Sequence, residues 1–378
     1  MEDPTLAGHE GKKRLRFMGE EKISPWGEVR KILIRSANWV GDAVMSLPAL
    51  ASVRLSFPRA EIFILAKPWV ADLFRDSPEI DRVILYQSPG IHEGFRGKWR
   101  LARELKLERF DLALHLPNSF ESALISFLAR IRQRAGYNTD GRGMILTHRV
   151  PVNGEIKKGH QVEYYLHLLE SLGFQRGEDV PTLKTSPKIR EEAEGILKSH
   201  GVKESDPLIG VSPGAQYGSA KEWFPERYGE LADRIAREMG ARILIVGSMG
   251  DRLVASQICR KTGPAAIDLA GSTTLAQAMG IIARCRLFIT NDSGLMHVAS
   301  ALGVPLVAIF GSTDPRRTGP LSKNSRVLYK SIPCAPCLKT ECPEDRKCMG
   351  LITVDEVYEE VKKMWDADSK LVIEKNVK

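Results

Sequence analysis

The sequence predicts an α/β protein made of two parallel-sheet domains in tandem, facing one another across a cleft. Three observations carry that expectation. Short, nearly continuous apolar runs alternate with helical patterns, as strands covered on both faces require. The alternation occurs twice, first from about residue 31 to 130 and again from 207 onward, with a weaker stretch between. A length of 378 residues suits two domains, since one usually spans about 100–200.

In the first half, strands are expected at Lys31–Ser36, Glu61–Lys67, Arg82–Tyr86 and Phe110–Leu116. Helices are expected from about Ala43 to Ser56 and from about Ser119 to Arg130. Pro48 is awkward in the first of these and implies a kink or a later start. A helix at His160–Leu172 is followed by Gly173, which suits a C-cap, and by a polar stretch with Pro181 and Pro187 that marks the domain boundary. The second series places strands at Leu208–Ser212, Arg242–Gly247, Ala266–Ala270, Leu287–Thr290, Pro305–Phe310 and Arg326–Tyr329. An amphipathic helix at Thr353–Asp366 carries Val354, Val357, Val361 and Trp365 on one face. The division is therefore a polar leader at 1–27, domains at 28–185 and 186–352, and a terminal helix and tail at 353–378.

Hydrophobic residues make up 43% of the chain and charged residues 27%, an ordinary globular balance. No apolar run approaches the roughly 18 residues of a membrane span, and no secretory signal is recognisable, so a cytoplasmic location is expected. The net charge of +8 favours polyanionic partners, although solubility alone would also account for it. Nucleic acid is not expected, because the aromatic, KH-type, zinc-finger and dense basic signatures are missing.

Four strand-end loops can carry chemistry. The first is Ser36–Asp42. Asp42 stands where a helix begins, so a helix cap is its plainer use, but a strand-end carboxylate facing a cleft also suits a general base. In the second, Ser212-Pro213-Gly214-Ala215 allows close backbone approach to an anion and Lys221 adds a point charge; a solvated lysine is the alternative. The third, Val246–Asp251, ends in an acid suited to sugar hydroxyls or, somewhat better, to a cap. The fourth is Asn291-Asp292-Ser293-Gly294, a turn opening a helix, which makes an anion site at the helix N-terminus; His297, one turn further on, suits a contact to the anion or, equally, a satisfied core imidazole. Cys259 and Cys285 stand apart and read as small hydrophobes. Cys334, Cys337, Cys342 and Cys348 cluster without a secretory context, which points to structural zinc or an iron–sulfur centre, with free or disulfide-forming thiols as the alternative.

Together these segments resemble the ADP-heptose–lipopolysaccharide heptosyltransferases, nearest their heptosyltransferase II branch. The segments are Ser36–Met45 (SANWVGDAVM), Leu116–Ala123 (LPNSFESA), Ser212–Trp223 (SPGAQYGSAKEW), Asp268–Gly271 (DLAG) and Thr290–Ala299 (TNDSGLMHVA). The resemblance runs in order from about Lys31 to about Val361. It implies a GT-B fold of two Rossmann-like domains, the first for acceptor and the second for the nucleotide-sugar. It implies an inverting transfer of heptose from ADP-heptose to the heptosyl-Kdo-lipid A inner core, with Asp42 as base. Lys221, Asp292, Ser293, Gly294, Leu295 and His297 would hold the donor diphosphate, and Asp251 the ribose. Asn38, Trp39, Asn118 and Ser119 would lie on the acceptor side. No cofactor is required for transfer, zinc at the cysteines being structural only. The partners implied are ADP-heptose, an anionic glycolipid and the inner face of the inner membrane. Heptosyltransferase I, another sugar-nucleotide transferase of this fold and a non-catalytic nucleotide or glycan binder remain as alternatives. A dehydrogenase is disfavoured, since the G-x-G-x-x-G fingerprint is missing.

Overall fold

The computed structural model describes residues 26–376, with side chains to Ala367. They form two parallel sheets of six strands each. The first contains β1 (Lys31–Arg35), β2 (Glu61–Ala66), β3 (Arg82–Leu85), β4 (Leu112–His115), β5 (Gln133–Tyr137) and β6 (His148–Val150). The second contains β7 (Leu208–Ser212), β8 (Arg242–Ile245), β9 (Ala266–Asp268), β10 (Leu287–Asn291), β11 (Leu306–Phe310) and β12 (Ser325–Tyr329). The strand orders are β3-β2-β1-β4-β5-β6 and β9-β8-β7-β10-β11-β12, the same Rossmann order twice. In each sheet the order reverses beside its first strand. Ile32 pairs with Ile62 and Leu112, and Ile209 with Ile243 and Leu287. Ligands bind beyond the carboxyl ends of the strands at such a reversal, so the loops after β1, β4, β7 and β10 are the ones that matter.

Alternation along the strands divides the core. Leu33, Phe63 and Leu65 pack on the outer side of the first sheet. Ile209, Val211, Ile243 and Ile289 pack on the outer side of the second, with Val357 and Val361 of the terminal helix. The opposite faces, with Ile32, Ile34, Ile62 and Ile64 from one sheet and Leu208, Leu244, Phe288 and Leu306 from the other, join a single apolar cluster. Each such side chain contributes about 1.5–3 kcal/mol on full burial, so the two domains share stabilising packing. Val298 and Ala299 of the helix Gly294–Ala301 and Ala43 and Val44 of the helix Val40–Met45 belong to that cluster.

Several elements differ from the expectation. The helix from Ala43 to Ser56 is two, Val40–Met45 and Leu47–Ser56, broken at Ser46. Pro48 lies in the first turn of the second, where no backbone N–H is needed. β5, β6 and the helix Gly94–Glu108 were not anticipated. β5 reads QRAGY and β6 spans three residues, so neither presents an apolar run; pairing to β4 and to each other holds them. The terminal helix runs from Val354 to Asn376, beyond the expected end at Asp366. Trp26 was assigned to the leader but is buried, its indole N–H donating to Leu172 O at 3.2 Å. The rest of that leader, to residue 25, lies outside the described residues.

Candidate active site at the domain junction

The helices Val40–Met45 and Gly294–Ala301 cross where the carboxyl ends of β1 and β10 meet. Glycine makes the approach close. A Cβ on Gly41 would stand 2.8 Å from His297 Cδ2, and one on Gly294 would stand 2.8 Å from Val40 Cβ. The turn after β1 and the turn after β10 are thereby brought face to face.

Asp42 is the third residue of its helix. The cap position is Trp39, which makes no side-chain capping bond, so Asp42 is not the cap that its spacing favoured. Burial pushes its carboxyl up to about 6, with Lys221 opposing and Asp292 adding to the rise. Protein surrounds it on most sides while leaving a partial opening to solvent. Its electrostatic neighbours Lys221 and Asp292 both come from the second domain.

Lys221 Nζ lies 2.6 Å from Asp292 Oδ2, which also accepts from Thr313 Oγ1 at 2.6 Å. The lysine is therefore neither solvated nor unpaired, but held by a carboxylate that is 4% exposed. Neighbouring Asn291 braces the loop after β7. Its Oδ1 accepts from Trp223 N and Tyr228 OH, and its Nδ2 donates to Pro213 O. Ser293 caps the helix Gly294–Ala301 by accepting from Met296 N–H. Leu295 is partly buried against the shared core. His297 is buried, and burial holds its pKa down to about 4. At neutral pH it is uncharged, so it offers an N–H rather than a positive charge.

Asp251 closes a capping box. Its Oδ2 accepts from Ser248 N at 2.6 Å and from Ser248 Oγ at 2.8 Å. A Cβ on Gly214 would fall 1.8 Å from its Oδ1, so it also packs directly on the phosphate-type loop.

On the first domain, Asn38 Oδ1 accepts from the buried Arg35, and Asn38 O accepts from the Trp69 indole. Trp39 is 57% exposed. Asn118 Oδ1 accepts from Tyr164 OH and Thr139 Oγ1, and Ser119 caps the helix Phe120–Leu128. Sequence reasoning missed a cluster beside them. Lys67, just after β2, lies 3.8 Å from the Tyr86 ring centre, and burial and Arg35 lower its pKa. Tyr86 OH donates to Glu121, which also pairs with Lys98 at 2.6 Å. Arg35, Lys67 and Tyr86 all stand at strand carboxyl ends, and that placement was the signal that could have found them.

The four clustered cysteines line one small cavity with Ser312 and Lys339. All are free thiols. Cys342 Sγ accepts from the N–H groups of Glu344 and Arg346. Among the described residues, however, no group of three or more His, Cys, Asp or Glu is arranged to hold a metal ion. The segment buttresses the Lys221 loop. Ala220 N donates to Thr340 O, Tyr217 OH to Leu338 O, and Arg346 to Glu222 O.

Comparison with known proteins decides the family. Residues 98–348 match glycosyltransferase family 9 (heptosyltransferase). The chain belongs to that family. This glycosyltransferase is 35% identical over 314 residues to lipooligosaccharide heptosyltransferase 2 of Haemophilus ducreyi, covering 79% of this chain and 88% of the relative. It is 35% identical to lipopolysaccharide heptosyltransferase 2 of Escherichia coli, covering 79% and 87%. Its structure superposes on that of E. coli ADP-heptose lps heptosyltransferase II with a TM-score of 0.77 at 29% identity, covering 90% of this chain and 99% of that one. The two-domain architecture expected from the sequence is thus that of the solved family member. No helix among the described residues of this transferase is long and apolar enough to cross a membrane.

Proposed function

We propose that this chain transfers heptose from ADP-heptose to a lipopolysaccharide inner-core acceptor already bearing one heptose, at the cytoplasmic face of the inner membrane. The observation that carries the chemistry is Asp42, raised to about 6 by burial and facing a lysine–carboxylate pair of the other domain. The choice of substrate rests on the relatives named heptosyltransferase 2 and the solved ADP-heptose transferase.

In this reading Asp42 accepts the proton of an acceptor hydroxyl as its oxygen attacks the anomeric carbon. A pKa of about 6 leaves Asp42 ionised at neutral pH yet basic enough to take a proton. ADP leaves from the opposite face, inverting the centre. Lys221, the N–H groups opening the helix Gly294–Ala301 and the neutral imidazole of His297 stabilise the charge gathering on the diphosphate. Asp251 holds the adenosine ribose, and Asn38, Trp39, Asn118 and Ser119 flank the acceptor. ADP release that requires both substrates is the test; release with water alone, or none, removes the transferase reading.

The pH profile follows from Asp42. Below about 6 it becomes protonated, so kcat/KM is expected to fall about tenfold per pH unit on the acid side. An acid limb centred near the ordinary carboxylate value of 3.8 would show that another group limits the reaction.

Structural zinc at Cys334, Cys337, Cys342 and Cys348 is kept as a separate proposal, with transfer itself requiring no cofactor. Protein purified without chelator is expected to carry up to about one metal ion per chain and to melt lower in chelator. Metal-free protein with four titratable thiols and an unshifted melting curve removes it.

A further inference from the structure

The helix Gly94–Glu108 rests on the first domain through Gly97, Leu101, Ala102 and Leu105. Lys98 ties it to Glu121, which Tyr86 also holds, so its outer face is rigidly presented. That face is unusual. Phe95 is 73% exposed, Trp99 48% and Leu107 83%, although nothing in the catalytic site uses them. At about 100° per residue these three fall on the arc opposite the buried side chains. Arg96, Arg100, Arg103 and Lys106 share the arc, and no carboxylate of the helix lies on it. Arg103 lies 5.0 Å over the Trp99 ring, and Arg100 leans to Glu104 at the margin. Just before the helix, Ile91 is 49% exposed. The helix begins at the carboxyl end of the first sheet, on the same edge as Lys67 and Tyr86.

We propose that this face, built on Phe95, Trp99 and Leu107 with their four flanking cations, docks the enzyme on an anionic phospholipid surface. The charge pattern selects the occupant. Aromatic and aliphatic side chains enter the headgroup boundary while arginine and lysine meet lipid phosphates, and an acid-free arc avoids repulsion from that surface. The inference rests on the proposed glycolipid acceptor, since docking there sets the acceptor side of the site beside the membrane that holds it.

The test uses the full chain sedimented with phosphatidylcholine vesicles, with and without phosphatidylglycerol. Binding is expected only to the anionic vesicles, weakening as salt rises. F95S/W99S is expected to reduce it about tenfold or more. Each lost cation costs about fivefold, so R96E/R103E should reduce it about 25-fold or more. Both variants should transfer heptose to a deacylated, water-soluble acceptor as the parent does, which separates the surface from the active site. Equal vesicle binding by the variants, or no binding by the parent, overturns the proposal. So does a dimer of the parent that both variants abolish, since a second copy would then cover the face. A parent that binds vesicles but transfers no heptose removes the proposed reaction and leaves the docking surface standing.

Discussion

Replacing Asp42 by asparagine is expected to lower kcat by about 10²–10⁴ while leaving ADP-heptose binding nearly intact. The substitution keeps the shape and removes proton acceptance. It has a second, less usual consequence. The folded protein holds Asp42 at about 6 rather than 3.8, so the native state binds this proton more tightly than the unfolded chain. The sign is therefore opposite to that of a salt-bridged carboxylate. The penalty is absent below 3.8, grows as pH rises and is complete above about 6. Asparagine cannot ionise and escapes the penalty, so D42N should be more stable at pH 7 by about 1–2 kcal/mol, after allowing for the favourable helix-dipole position lost. Calorimetric melting and single-turnover kinetics measure the two effects. A variant with near-normal turnover, or one destabilised like a lost cap, would return Asp42 to a structural role.

Lys221→Ala is expected to weaken ADP binding by about 1–3 kcal/mol, or roughly 5–150-fold in Kd, for the loss of a charge-assisted contact. It should also destabilise the fold, by up to about 3–5 kcal/mol, because Asp292 would be left charged, 4% exposed and without its cation. The two losses separate in a second variant. K221A/D292N removes the stranded charge and should recover much of the stability without recovering ADP affinity. His297→Ala should weaken ADP binding less than Lys221→Ala, since the imidazole is uncharged at neutral pH. Calorimetry with ADP alone and thermal melting are sufficient. Unchanged ADP affinity in K221A and H297A would move the donor site elsewhere.

How much of this was legible depended on where each signal lay. The other ten strands were visible because parallel strands buried on both faces read as apolar runs; β5 and β6 escaped because Gln, Arg, Gly and His interrupt theirs. The helix Gly94–Glu108 escaped because its basic residues obscured the buried positions Leu101, Ala102 and Leu105. At the site, Ser293 as a cap and the turn after β10 followed from local grammar. The Lys221–Asp292 pair did not, being 71 residues apart in sequence. Nor did the neutrality of His297 or the raised pKa of Asp42, since both arise from burial that only the assembled domains create. Asp251, read from sequence as a contact for sugar hydroxyls or a cap, closes the capping box at Ser248 and packs against Gly214 in the fold.

In the proposed reaction a heptose from ADP-heptose is joined to the inner-core glycolipid at the domain junction. Mass spectrometry of the products, with Kdo-lipid A and its mono-heptosylated form offered in turn, measures this most directly. The expected result is ADP release matched by a glycolipid one heptose residue heavier, formed from the mono-heptosylated acceptor and lost in D42N. An acceptor of unchanged mass, or transfer that proceeds from UDP- or GDP-sugars and not from ADP-heptose, would contradict it.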